Sequence, residues 1–402
     1  MTDPSVIEWT DWRWQMRHRV DTIEALERVV RLTDDERRAA DETRSVFRWT
    51  ITPYYASLMD PDDPACPIRR QVVPTMSELD ADLVGVVDPL EEVSHSPVRN
   101  LIHNYRDRVA FCVTTECAIY CRYCLRKRLV GDSEQMMNRS ELKEAIDYIA
   151  AHPEIRDVLL TGGDPLTYGD RQIEWLLGEL RKIDHVEIVR IGSRMPVKLP
   201  YRITPELCEV LSRHHPVWLN THFNHPKEVT PDATAAIDRL LRAGVPVGNQ
   251  TVLLKGVNDD RETLLSLFSA LVRARVRPYY LYQAQLIGGT ATFRTSIEKG
   301  MSLMESIRGH ATGFSIPTYV LDTPFGKVPL DRSWVLGRSG DHVVMRTTRG
   351  TIWAETNPMP ADEAGFGEVL PRIDMPQGAV TLPTGARTFD GLQPSEWLVS
   401  AT

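Results

Sequence analysis

No stretch of this chain stays apolar long enough to span a bilayer as a helix, so no membrane-spanning segment is expected. A basic excess is also missing. Lys and Arg total 47 against 55 Asp and Glu, a formal net charge of -8, which argues against a nucleic-acid-binding face. The start, Met1-Thr-Asp-Pro, has no basic stretch followed by an apolar one, so no secretion signal is expected. Cysteine is scarce, with 6 in 402 residues, and the spacing gives no disulfide framework. The thiols therefore read as reduced, cytoplasmic and metal-binding. An apolar content of 42% with 25% charged residues is that of an ordinary globular protein. The length suits one large domain with extensions, or two or three domains.

What is present is concentrated. Three of the 6 cysteines fall in Cys117-Ala-Ile-Tyr-Cys121-Arg-Tyr-Cys124, just after the apolar run Val109-Ala-Phe-Cys-Val-Thr. Three thiolates on a loop after a strand suit an iron–sulfur cluster with one iron left open to a small ligand. A tetrahedral zinc site wants four ligands, often as two pairs, and no second pair is found. A chance cluster of structural cysteines or a degenerate zinc knuckle is the plain alternative. The spacing, with Tyr123 before the third cysteine, resembles the signature of the radical S-adenosylmethionine enzymes.

Residues from Glu8 to about Arg48 read helical, with Ile23, Leu26, Val29, Val30 and Leu32 at helical spacing. Thr33-Asp-Asp-Glu36 is a capping box that opens a further helix. Trp9, Trp12 and Trp14 are expected to anchor this segment on the main body. Thr52 to Ser96 is proline-rich and aperiodic, a linker wrapped on the surface. From about Arg108, strand-like runs alternate with helical ones. The strands are Val109 to Val113, Val158 to Leu160, Val186 to Ile191, Val217 to Asn220, Val245 to Leu253 and Pro278 to Tyr282. The helices are Ser140 to Ala151, Gln172 to Ile183, Thr204 to Ser212, Thr230 to Ala243 and Asp259 to Ala274. Thr204-Pro205 and Thr230-Pro231 pair a capping Thr with Pro at the first helical position. Gly244 is a helix stop. This alternation predicts a parallel sheet with its site on the loops at the carboxyl ends of the strands. Later, Phe314 to Leu321 reads extended, and His342 to Arg346 with Thr351 to Ala354 reads as a hairpin. Beyond Asn357 the chain is rich in Pro and Gly.

Val158-Leu-Leu-Thr-Gly162-Gly163-Asp164-Pro is a strand ending in two glycines and an acid. Glycine permits close backbone approach, and a carboxylate pairs with an ammonium. Alone, this is equally a plain turn. After the cysteine loop it is similar to the segment that holds the aminoacyl part of S-adenosylmethionine.

Long stretches then resemble the lysine 2,3-aminomutase family, radical S-adenosylmethionine enzymes that also use pyridoxal phosphate. They are Trp9-Thr-Asp-Trp-Arg-Trp-Gln-Met-Arg-His-Arg, Val186-Glu-Ile-Val-Arg-Ile-Gly-Ser-Arg, Pro216-Val-Trp-Leu-Asn-Thr-His-Phe-Asn-His-Pro, Gly244-Val-Pro-Val-Gly-Asn-Gln and Arg275-Val-Arg-Pro-Tyr-Tyr. The likeness runs from about Glu8 to about Thr351.

The resemblance implies an α/β fold, a radical S-adenosylmethionine partial (β/α)6 barrel over residues 101–312. An N-terminal helical and wrapping extension (1–100) precedes it. A C-terminal extension (313–402) carries the cofactor lysine, the hairpin and the tail. The implied cofactors are a [4Fe-4S] cluster on Cys117, Cys121 and Cys124, S-adenosyl-L-methionine and pyridoxal 5'-phosphate. Lys327, after the tight turn of Leu321-Asp322-Thr-Pro-Phe-Gly326-Lys327, is the lysine implied to bind pyridoxal phosphate. The family has a longer glycine run there. Tyr105 and Arg108 match its cofactor-binding segment, with Asn104 where relatives have Arg. Tyr123, Gly162, Gly163, Asp164, His222 and Gln250 are implied contacts of S-adenosylmethionine. Taken singly, His222 and Gln250 read as hydrogen-bonded core residues.

Arg126 matches the family arginine for the substrate carboxylate. Lys127 and Arg128 beside it read as a solvated basic run. Asp322 matches one of the two aspartates that lysine-specific relatives use for the substrate ammonium, and Gln285 stands at the other. A cationic substrate is therefore expected, with L-arginine favoured over L-lysine, because a guanidinium shares its donors between one carboxylate and one amide oxygen. The family's zinc cysteines are missing. Asp260 replaces one and no cysteine follows Cys208, so no zinc is expected. The implied reaction is an isomerisation. S-adenosylmethionine is cleaved reductively, hydrogen leaves the substrate β-carbon, the amino nitrogen moves from C2 to C3, and the hydrogen returns. The implied partners are the amino acid substrate, a reductant such as flavodoxin or ferredoxin, and further copies of the chain. Two rivals are a shorter relative that makes β-lysine for elongation factor P, against which the tryptophan-rich start speaks, and a non-catalytic iron–sulfur protein, which needs neither the Gly-Gly-Asp turn nor Lys327.

Overall fold

The computed structural model describes residues 5–80, 85–130, 134–375, 380–381 and 387–389. Nine strands form one sheet in chain order: β1 (Leu101–Tyr105), β2 (Arg108–Thr114), β3 (Asp157–Gly162), β4 (Ile188–Gly192), β5 (Val217–Thr221), β6 (Val247–Leu253), β7 (Arg277–Gln283), β8 (Thr318–Thr323) and β9 (Gly326–Pro329). Neighbours from β2 to β8 pair in parallel, while β1 and β9 are antiparallel at the two edges. The expected six parallel strands are β2 to β7. The extended segment after Phe314 supplies a seventh, β8, so the first part of the expected C-terminal extension belongs to this sheet.

Between the strands run α1 (Arg139–Ala151), α2 (Asp170–Arg181), α3 (Pro205–Ser212), α4 (Pro231–Arg242), α5 (Arg261–Arg273) and α6 (Ile297–Ile307). Their starts follow the sequence signals. Thr204 and Thr230 cap α3 and α4 with Pro in the first turn, and Asp260 caps α5. Gly244 ends α4 at φ 77, a left-handed conformation that glycine takes without strain. Each helix buries an apolar stripe on the sheet, such as Ala233, Ala236, Ile237 and Leu240 of α4. Along β6 burial alternates: Val247, Asn249, Thr251 and Leu253 are buried, and Gly248, Gln250 and Val252 share the opposite, more open face.

The N-terminal segment is not one continuous helix. It breaks into Val6–Thr10, Trp12–Arg17, Ile23–Glu27 and Asp34–Glu42, because Asp11, Thr22 and Thr33 each cap a new start. Trp9 and Trp12 do anchor it. Trp9 Nε1 donates to Tyr201 Oη at 3.1 Å, and the Arg202 guanidinium sits 4.6 Å from the Trp12 ring centre.

The two edges of the large sheet meet through side chains. Tyr105 Oη accepts the Lys327 N–H at 2.8 Å, and Asn104 Nδ2 donates to Pro324 O at 3.0 Å. A second, antiparallel sheet holds β10 (Val335–Ser339), β11 (His342–Arg346), β12 (Ile352–Thr356) and the short β13 (Val380–Thr381) and β14 (Arg387–Phe389). The β11–β12 pair is the expected hairpin. Buried ion pairs tie this sheet to α6 and the turn before it: Arg338 with Glu298, and Arg294 with Glu355 at 3.4 Å. No helix among the described residues is long and apolar enough to cross a membrane.

Candidate functional site

The cysteine loop leaves the carboxyl end of β2, where a site was expected. Gly162 at the end of β3 adopts φ 114, and a Cβ there would lie 2.4 Å from Thr114 O. A Cβ on Gly163 would lie 2.3 Å from Glu116 O. The glycines thus let β3 close on the backbone that leads into Cys117. Inside the loop, Arg122 is fully buried. It donates to both oxygens of Glu78 (2.8 and 2.7 Å) and to the carbonyls of Arg48 and Phe47. The loop is therefore clamped by residues far upstream.

Burial raises the Cys117 and Cys124 thiols above their ordinary range. At Cys121 burial acts the same way, but the Lys198 and Arg194 charges outweigh it and bring the thiol down to about 7. Arg194 Nη1 lies 3.0 Å from Cys121 Sγ, and Lys198 Nζ donates to Ile119 O at 3.1 Å. Arg194 also donates to Tyr123 Oη (2.5 Å), His222 O (2.8 Å) and Glu228 Oε1 (2.8 Å). Tyr123 Oη accepts from Asn224 Nδ2 (2.6 Å) and donates to Gln71 Oε1 (3.2 Å). This buried polar network was not foreseen. The sequence signals were Tyr123 in the cysteine motif and two resembling stretches, one ending in Ser193-Arg194 and one holding His222 and Asn224; Gln71 and Glu228 lay outside them.

Asp164 is buried with both carboxylate oxygens in use. Ser193 Oγ (2.7 Å) and Leu166 N (3.1 Å) donate to one, and Arg194 N (2.9 Å) to the other. Burial raises its carboxyl above the usual range. His222 follows β5, edge-on to Tyr123, and its buried Nε2 has no hydrogen-bond partner among the described residues. Burial, aided by Arg194 and Lys198, holds its ring well below the usual histidine range and so neutral. Gln250 lies mid-strand on β6.

Around the sheet's far edge, Asp322 and Lys327 face each other in the β8–β9 pair, with Lys327 Nζ 2.8 Å from Asp322 Oδ1 and 5.6 Å from the Tyr282 ring centre. Burial would lower the Lys327 ammonium, but Asp322, Tyr282 and Tyr105 outweigh it and raise the amine above the ordinary lysine value. Gln285 Nε2 donates to Asp322 O at 2.9 Å, so the two expected side-chain readers do come together. The Arg108 guanidinium lies 4.4 Å from the Tyr105 ring centre and bonds Asp107 at 3.0 Å. Arg349 donates to the Asn104 amide oxygen at 2.6 Å.

Arg126 is held between Glu92 and Thr161. Lys127 and Arg128 are not a solvated run. Lys127 Nζ bonds Glu78 (3.0 Å) and Gly289 O (3.1 Å), and Arg128 bonds Glu92 (2.7 Å). The reason is the acids brought in by the proline-rich segment.

The donor chemistry fits the implied groups. Three thiols, one already drawn toward thiolate, suit iron. Among the described residues no three such side chains converge on one point for a single ion. A cluster spreads its cysteine ligands over separate irons. The His222 Nε2, unpartnered among the described residues, and the lysine between the Tyr282 ring and the Asp322 carboxylate suit an organic ligand and an aldehyde cofactor respectively.

Residues 111–268 match the model of the Radical SAM superfamily, and residues 304–379 match that of Lysine-2,3-aminomutase. The chain is 47% identical over 359 residues to the L-lysine 2,3-aminomutase of Clostridium subterminale, covering 89% of this chain and 86% of that one. It is 46% identical over 353 residues to the Bacillus subtilis L-lysine 2,3-aminomutase (87% and 75%), and 42% over 347 residues to the Clostridioides difficile glutamate 2,3-aminomutase (86% and 82%). The crystal structure of Streptococcus suis SuiB bound to S-adenosylmethionine overlays 54% of this chain and 50% of that one at TM-score 0.43 and 13% identity.

Proposed function

Since the chain belongs to the lysine 2,3-aminomutase family of radical S-adenosylmethionine enzymes, we propose that it moves the amino group of a cationic L-α-amino acid from C2 to C3. It is an isomerase of the 2,3-aminomutase kind with an iron–sulfur cluster, S-adenosylmethionine and pyridoxal phosphate as its cofactors. When bound, these groups supply a hydrogen-abstracting radical and a conjugated acceptor for the migrating nitrogen. Everything else falls to the protein's own residues.

In this reading Cys117, Cys121 and Cys124 hold the cluster, with Arg194 beside Cys121 fixing that sulfur. Gly162, Gly163, Asp164, Tyr123, His222 and Gln250 form the S-adenosylmethionine side. His222, kept neutral, offers an uncharged ring nitrogen. Lys327 is the covalent anchor of pyridoxal phosphate, with Tyr105 and Arg108 beside it. Arg126 takes the substrate carboxylate, leaving Gln285 and Asp322 for the side chain. Burial of Tyr123, Arg194 and Asn224 excludes water from the reacting end. An electron donor such as flavodoxin or ferredoxin, a homo-oligomeric assembly, a cytoplasmic setting and the division at 1–100, 101–312 and 313–402 belong to the same proposal.

The observation that carries it is the convergence of Lys327, Asp322 and Gln285 at one edge of the sheet whose other motif is the cysteine triplet. The named relatives support L-lysine as substrate better than L-arginine. L-Arginine is kept as a second reading, favoured by the neutral Gln285. The test is product formation by reconstituted enzyme from each amino acid, beside Lys327→Ala with an intact cluster. The variant should make no β-amino acid. Full activity without Lys327 would remove the assignment, and turnover of lysine well above arginine at equal concentration would remove the second reading.

A further inference from the structure

Glu92 belongs to none of the motifs above, yet it sits at the junction of two parts of the site. The segment that carries it begins beside the Gln285 loop. Val86 N donates to Leu286 O at 3.0 Å, and Gly288 N donates to Val86 O at 3.3 Å. The contact is backbone to backbone, since a Cβ on Gly85 would lie 2.4 Å from Gly288 N. The segment ends on the other side, at Arg126. Glu92 Oε1 accepts from Arg126 Nε (3.2 Å) and Nη2 (2.9 Å), while Oε2 accepts from Arg128 Nη2 (2.7 Å). Asp88 braces the turn, its carboxylate taking the N–H groups of Glu92 and Val93 at 3.0 Å each and lying 3.4 Å from Arg128. Glu92 is buried, 6% exposed.

Two features make this more than a buried ion pair. Glu92 occupies the Nε side of the Arg126 guanidinium, and Thr161 Oγ1 accepts from Nη1 at 3.1 Å. Nη2 gives one hydrogen to Glu92 and Nη1 one to Thr161, so each terminal nitrogen keeps a second hydrogen for a further acceptor. The same segment is bonded to the chain directly after Gln285, so it spans the distance from one recognition element to the other.

We infer that Glu92 is the positioning residue of Arg126, and that the segment from Gly85 to Glu92 sets the span between the arginine that takes the substrate carboxylate and the Gln285 end that reads the side chain. This rests on the roles given to Arg126 and Gln285 above. Glu92 also keeps Arg126 and Arg128 from repelling each other, so its loss lets the guanidinium swing from its fixed plane.

The test uses reconstituted holoenzyme with L-lysine, L-arginine and their α-carboxamides as substrates or competitive inhibitors. Glu92→Ala should raise KM for the better amino acid about tenfold and change kcat less than about threefold, the loss of one oriented charge-assisted contact. Discrimination of acid over amide should fall by the same factor, with cluster absorption and pyridoxal phosphate affinity unchanged. Glu92→Gln, which keeps an acceptor oxygen without the charge, should lie between. If Glu92→Ala does not load its cluster, Glu92→Gln decides alone. Wild-type KM and discrimination in the loaded variants, or equal losses for acid and amide, would overturn the inference. A different result, Arg126→Ala still preferring acid to amide, would instead refute the role given to Arg126.

Discussion

Replacing Arg194 by Met tests the buried network behind the cysteine loop. Arg194 is 7% exposed on its side chain and its partner Glu228 is 0% exposed. Removing one member of such a pair costs about 3–5 kcal/mol, because the remaining charge stays buried without a counter-charge. Glu228 keeps four neutral donors here: Tyr55 Oη (2.6 Å), the N–H groups of Asn224 (2.5 Å) and His225 (3.0 Å), and Gln71 Nε2 (3.3 Å). These solvate the carboxylate in part, which places the expectation at the lower end, about 3 kcal/mol. At about 1.2 °C per kcal/mol for a chain of 402 residues, the thermal midpoint should fall about 3.5 °C. Adding Glu228→Gln removes the orphaned charge and should recover about 2 kcal/mol of the loss. The assay is far-ultraviolet circular dichroism on anaerobically purified single and double variants. A midpoint for Arg194→Met within about 1 °C of wild type would refute the reasoning. So would a double variant no more stable than the single one.

Gln285→Asp should raise the ratio of kcat/KM for lysine over arginine about tenfold, the worth of a second carboxylate near a compact ammonium, and an unchanged ratio would count against Gln285 as a reader. Asp322→Asn should speed uptake of pyridoxal phosphate. The Lys327 amine is held above the ordinary lysine value, so its neutral form is scarce near neutral pH; losing the carboxylate lowers it and leaves more of the amine neutral. The readout is the absorption of lysine-bound cofactor at fixed pH, and an unaltered rate would disprove the pairing as the cause. By the same sign, the stability this pair contributes is complete below the ordinary lysine value and is lost as pH rises through the raised one.

The barrel was legible because its strands are apolar runs and its helices announce their starts: Thr-Pro at α3 and α4 is a local signal that needs no partner. β8 read only as extended, since Thr318–Thr323 buries residues on both faces and loses the alternation that marks a strand. β1, with His103, Asn104 and Tyr105 among its five residues, gave no strand pattern at all. The candidate residues could be picked out where they are close in sequence, as in the cysteine triplet and in Asp322 to Lys327, which the structure places 2.8 Å apart at Nζ and Oδ1. The network behind them was not. Gln71 meets Glu228 across 157 residues, and each alone looks like a surface polar side chain. Lys127 and Arg128 looked solvated because their acids, Glu78 and Glu92, lie 49 and 36 residues upstream in a segment with no periodicity.

The Asp322 carboxylate raises a point about which substrate suits the proposed site. Lys327 Nζ sits 2.8 Å from it, so whenever this lysine is a free ammonium it claims that carboxylate. In the proposed reading the substrate's side-chain cation would need the same group while Lys327 stands free. A compact ammonium cannot share one carboxylate with a second ammonium without leaving one of them poorly compensated in a half-buried place. The family pattern of two aspartates avoids the conflict; Gln285 does not. A guanidinium is less demanding, because its charge is spread and its donors can be divided between an amide oxygen and one carboxylate oxygen. The Gln285 amide already spends its Nε2 on Asp322 O, which turns its oxygen toward the acceptor role. If lysine is nevertheless the substrate, as the named relatives favour, Lys327 must be released as the neutral amine, and turnover of lysine must rise with pH more steeply than turnover of arginine does.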